Sequence, residues 1–88
     1  MKIDNRLTLR EVVGEHLIVI QGKTDAALSK VVAFNSTSVM LWNHFFEKDF
    51  TVEDVQQRLL EEFDVTEEIA LNDAQAWVDT LKQNNMVQ

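Results

Sequence analysis

Residues 30–46, KVVAFNSTSVMLWNHFF, decide how the rest of the chain is read. Lys30-Val31-Val32-Ala33-Phe34 is a short β-branched run, the composition that favours a pleated, half-buried strand. Asn35, Ser36, Thr37 and Ser38 then supply side chains that satisfy the free amides of a helix start, with Ser36 or Thr37 expected as the cap. Val39, Leu41, Trp42, Phe45 and Phe46 follow as the apolar side of a helix. A strand that feeds directly into an aromatic-rich helix joins a small sheet before it to a helical unit after it. The functional reading depends on whether that strand keeps a free edge.

Upstream, Leu7 to Val13 (LTLREVV) partly alternates, and His16 to Ile20 (HLIVI) is a dense β-forming run. Gly14-Glu15 between them predicts a hairpin turn, although Gly-Glu is a weaker signal than Asn-Gly. Gln21 to Ser29 reads as a loop in which Ala26-Ala27-Leu28 folds back. Downstream, Thr51 with Asp54 three positions later resembles a capping box. Val52, Val55, Leu59, Leu60 and Phe63 then recur at helical spacing, with Glu53, Gln56, Gln57, Glu61 and Glu62 outward. Asp64-Val65-Thr66 interrupts the pattern. A third helix begins after Thr66, its first-turn Glu67 and Glu68 facing the positive end of the helix dipole. Ala70, Ala74, Trp77, Val78 and Leu81 form its apolar side. Asn84-Asn85 ends it, since asparagine tolerates the left-handed conformation, and Met86-Val87 folds back as an apolar clasp. The predicted class is α+β, a three-stranded antiparallel sheet followed by three helices, and residues 1–88 are expected to form a single domain.

Composition narrows the function. The 88 residues carry a net charge of −7 and no cysteine, which excludes disulfides and thiolate metal sites. Charge is unevenly spread: residues 1–46 hold five basic against four acidic side chains, whereas residues 47–79 hold two against eleven. The acidic half repels phosphate backbones, so a nucleic-acid partner is not expected. The third helix carries Lys82 alone against Glu67, Glu68, Asp73 and Asp79, which argues against a DNA-binding winged helix. No stretch is long and apolar enough for a signal peptide or membrane span, and the expected location is cytoplasmic. His16 and His44 have no neighbouring serine or cysteine arrangement, and no motif calls for a metal or cofactor, so an enzyme is not expected. Trp42, Phe45, Phe46, Phe63 and Trp77 read as core, with Trp77 equally placed to line a groove.

The order of these segments resembles the PqqD-like proteins, named for the pyrroloquinoline quinone biosynthesis protein D. The resemblance rests on Phe34-Asn35 closing the third strand and on Asn35-Ser36-Thr37-Ser38-x-x-Leu41-Trp42. It extends through Thr51-Val52-Glu53-Asp54, Leu59-Leu60-Glu61-Glu62-Phe63-Asp64-Val65, and Asp73, Trp77 and Leu81 on the last helix. The chain departs from the family pattern at Asn85, where a glycine is usual, and over Gln21–Ser29. The resemblance implies a winged helix-turn-helix-like fold and a non-catalytic recognition element for modified-peptide pathways. Such an element binds a precursor's leader peptide as an added strand and presents it to a modifying enzyme, often of radical S-adenosylmethionine type. On this sequence the implied peptide-binding residues are Val31, Val32, Ala33 and Phe34 on the strand, and Asp73, Trp77 and Leu81 on the last helix. The alternative is a winged-helix or other protein-interaction or regulatory module outside peptide modification, able to dimerise through the same strand edge, and the oligomeric state is left open.

Overall fold

The computed structural model describes residues 1–20 and 30–88, and the expected loop Gln21–Ser29 lies outside the described residues. Three strands, β1 (Leu9–Val12), β2 (Glu15–Ile20) and β3 (Lys30–Phe34), precede three helices, α1 (Ser36–Phe45), α2 (Val52–Glu62) and α3 (Glu67–Gln83). The strands form one antiparallel sheet in the order β1-β2-β3. Leu9 faces Ile18, and Ile18 faces Val32, so these three share one sheet face. Because side chains alternate along a strand, Phe34 lies on that face too. Ile18 and Phe34 are buried while Val31 on the opposite face is 55% exposed.

The hairpin between β1 and β2 turns on two residues, Val13 and Gly14, both with positive φ (51° and 80°). That is the twist a two-residue hairpin demands, and Asn-Gly is its preferred sequence. A β-branched residue resists this conformation, at a cost of about 1–2 kcal/mol. Val13 is 98% exposed, so packing does not compensate it. Val13→Asn should therefore stabilise the protein by roughly 1 kcal/mol, read as a rise of a few degrees in melting temperature.

Each helix begins on a side-chain cap. Asn35, rather than Ser36 or Thr37, caps α1: its Oδ1 accepts from the Ser38 amide at 2.8 Å. Thr51 caps α2 in a full capping box, Oγ1 accepting from the Asp54 amide at 3.2 Å while Asp54 Oδ2 accepts from the Thr51 amide at 2.9 Å. Thr66 caps α3 by accepting from the Ile69 amide. The last helix ends at Asn84, followed by Asn85 with φ 56°, as the sequence predicts.

The core is one cluster to which the sheet contributes Ile18 and Phe34 and the helices contribute Leu41, Trp42, Phe45, Val55, Leu59, Ala70, Ala74, Trp77, Val78 and Leu81. An aromatic series runs through it. Phe34 meets Trp42 edge-on at 5.5 Å, and Phe50 lies 4.9 Å from Phe45 and 6.1 Å from Trp77. Phe63, expected in the core, is 42% exposed. It is the C-cap of α2, with extended backbone (φ −131°, ψ 149°), so the helical spacing that placed it inward no longer applies.

The Met86-Val87 clasp forms and has a partner. Val87 bridges antiparallel to Ile3, the Asp4 amide donates to the Met86 carbonyl at 2.8 Å, and the Gln88 amide donates to the Lys2 carbonyl at 2.7 Å. Ile3 and Met86 are both buried. Asp4 is held by Arg6, whose Nε and Nη2 donate to its carboxylate at 3.0 and 2.7 Å and whose backbone amide adds a third bond. These bonds lower the Asp4 pKa from 3.8 to about 2. A carboxylate depressed in the folded state stabilises above its unfolded pKa and loses that contribution as the folded pKa is approached. The stability difference between the native protein and Arg6→Ala should thus be constant above about pH 5 and shrink between about pH 4 and 2, as measured by denaturant midpoints across that range.

Candidate functional site

The outer edge of β3 has no strand partner among the described residues, because β2 occupies its inner side and β1 lies beyond β2. Alternate residues of an edge strand turn their N–H and C=O groups outward, where an extended chain can complete the ladder. The amino-terminal segment, a natural competitor for such an edge, is engaged with Val87 instead.

At its carboxyl end β3 runs into a groove of about 400 Å³. Three surfaces build it. Ala33, Phe34 and the start of α1 (Asn35, Thr37, Ser38, Leu41) form one wall. Asp73, Ala76, Trp77 and Thr80 of α3 form the other, and Leu59 of α2 contributes between them. Spacing explains the α3 set: residues three and four apart share a helix face. Leu41, Leu59, Phe34 and Trp77 are largely buried, so the groove has an apolar base, while exposed Asp73 supplies a carboxylate at its rim. Thr80 donates its hydroxyl to the Ala76 carbonyl, so that hydroxyl proton is already engaged. The Trp77 indole Nε1–H is buried with no acceptor among the described residues.

The residues singled out in the sequence are distributed as follows. Ala33, Phe34, Asp73 and Trp77 come together around the groove. Val32 and Val31 lie one and two residues back from Ala33 on β3, half-buried and exposed respectively. Leu81 is fully buried and is not part of the lining. Asn35, Thr37, Ser38, Leu41, Leu59, Ala76 and Thr80 also line the groove and were not among the peptide-binding residues expected from the sequence. Ala76 and Thr80 were recoverable from Asp73 and Trp77 by helical spacing. The α1 and α2 contributions depend on how helices cross, which no local pattern states.

A second depression, about 270 Å³, is lined by His44, Phe45, Lys48, Asp49, Asp54, Gln57, Arg58 and Glu61. Burial, then Lys48 and Arg58, lower the His44 pKa. Arg58 is committed to Glu61 and Glu62 at 3.4 and 2.6 Å. Both charge signs line this depression, and no nucleophile adjoins the histidine among those residues. Among the described residues no group of three or more His, Cys, Asp or Glu could hold a metal ion. No helix there is long and apolar enough to cross a membrane.

Compared with known proteins, the chain matches the model of the family described as coenzyme PQQ synthesis protein D (PqqD) over residues 15–87. No curated protein and no solved structure matches it.

Proposed function

Since the chain belongs to the PqqD family, we propose that it is a peptide-recognition adaptor: it binds the leader of a precursor peptide by strand addition at β3 and presents it to a modifying enzyme. The family acts in coenzyme PQQ biosynthesis as an accessory rather than a catalyst. The observation that carries the reading is the vacant outer edge of β3 leading into the groove beside α3. Main-chain hydrogen bonds along Val31, Val32 and Ala33 supply affinity that is indifferent to sequence, and side-chain pockets beside the edge supply selectivity.

Phe34 and Trp77 form the apolar base on which a leader side chain rests, and Asp73 attracts a nearby Lys or Arg. Leu81 acts from behind, as core packing that holds α3 in place. The enzyme that receives the peptide is of radical S-adenosylmethionine type on this reading, and the encounter takes place in the cytoplasm. The adaptor itself contributes no catalytic group.

The test is a titration of the isotope-labelled protein with the leader of its own precursor. Amide resonances of residues 30–34 and of the α3 groove wall should shift most. Shifts confined to residues 51–65 would contradict the assignment.

A further inference from the structure

Among the exposed large apolar side chains outside both the core and the groove lining, the helical half has Phe63, 42% exposed, Ile69, 48% exposed, and Leu71, 42% exposed. The positions of Phe63 and Ile69 are related to the groove by helix geometry. The Phe63 amide donates to the Leu59 carbonyl at 2.9 Å, which places the backbone of Phe63 one turn beyond Leu59, a groove residue, while its extended backbone leaves the ring in solvent rather than in the core. Ile69 stands one turn before Asp73, on the side of α3 that also presents Ala76 and Thr80 to the groove. Only Phe63-Asp64-Val65-Thr66 separate α2 from α3, so both turns leave the groove toward the same end. Leu71, two positions from Ile69, is on the far side of α3.

Charge at that end is of one sign. Glu61, Glu62, Asp64, Glu67 and Glu68 surround Phe63 and Ile69 in sequence, and between residues 58 and 81 Arg58 is the one base. Its guanidinium is already engaged by Glu61 and Glu62.

We propose that Phe63 and Ile69 extend the groove by a further turn and take a second part of the bound peptide, an apolar side chain flanked by Lys or Arg. The inference rests on the peptide-binding reading above and deepens it by assigning the chemistry of the ligand beyond β3. One helix turn is about 5.4 Å, which an extended peptide covers in roughly two residues at about 3.3 Å each. The apolar side chain packs between Phe63 and Ile69, and the basic residue beside it meets Asp64, Glu67 and Glu68, which have no ion-pair partner among the described residues. An acidic or purely polar segment finds neither contact.

The probe is a random twelve-residue peptide display library selected on the intact protein, the best sequences being synthesised and titrated. Selected peptides should carry an apolar residue next to Lys or Arg, and their binding should weaken with salt. Phe63→Ser and Ile69→Ser should each weaken it by about tenfold, and Leu71→Ser should leave it unchanged. Ile69→Lys, a fully solvated replacement, separates charge repulsion from any loss of folding, which circular dichroism monitors. Peptides that shift the β3 amides but bind Phe63→Ser, Ile69→Ser and Ile69→Lys as tightly as the native protein would overturn this inference and leave the β3 reading standing. A selection yielding no peptide that shifts the β3 amides would overturn both.

Discussion

Phe50→Ala is expected to lower stability by about 3–5 kcal/mol, the range for emptying a buried phenylalanine site. Phe50 is 2% exposed and bridges Phe45 on α1 to Trp77 on α3. Its amide also donates to the Met1 carbonyl at 2.8 Å, so the ring sits where the amino-terminal segment joins the helices. Domains of this length have a total stability of roughly 4–13 kcal/mol, so the loss is a large part of the whole. Phe63→Ala, half exposed at the end of α2, should cost less than about 1 kcal/mol. Urea midpoints at unchanged slope distinguish the two, and equal effects would contradict the core assignment.

The second large effect concerns the β3 edge. Val32 and Ala33 are adjacent, so their N–H groups point to opposite sides of the strand, one into the ladder with β2 and one outward. Val32→Pro and Ala33→Pro should therefore behave oppositely. One removes a ladder hydrogen bond within the sheet and destabilises the fold. The other leaves the sheet paired, because proline is tolerated where an edge N–H faces solvent. That second variant should bind a leader peptide about 10–100-fold more weakly, equivalent to roughly 1–3 kcal/mol from the lost bond and the steric block. If the folded variant keeps native affinity, the peptide does not pair along this edge.

Much of the architecture was legible because local chemistry and tertiary structure agree. The β-branched run Lys30–Phe34 is a strand with those same limits, and Thr51 with Asp54 and Thr66 with Glu67 mark helix starts where the structure has them. Misreadings arose where a residue's role is set at a distance. Phe50 lies between helices and Ile3 near the chain start, so neither belongs to a periodic segment, yet both are buried by segments far along the chain. Phe63 continues the α2 spacing but follows the last helical turn, and periodicity does not report where a helix stops. Asn35 displaced Ser36 and Thr37 as the cap because the helix begins one residue earlier in register than its hydroxyl cluster suggested.

The groove was legible in halves. The strand residues follow from the sheet-to-helix junction, and Asp73 and Trp77 from the family pattern and the α3 spacing. That these halves face each other, with Leu41 and Leu59 between them, is a consequence of the α1, α2 and α3 packing. Leu81 shares the apolar stripe with Trp77, but four residues along it the stripe is closed over by the core, where Leu81 has no exposed surface.

The most direct test of the adaptor account is amide hydrogen exchange along β3 in the free protein and in the leader-peptide complex. In the free state the outward-facing amides of residues 31–34 should exchange readily, as unpaired edge groups do. In the saturated complex those amides should slow by at least about tenfold, in an every-second-residue pattern, while the ladder amides shared with β2 change little. Saturating peptide with no slowing along residues 31–34 would contradict strand addition at this edge.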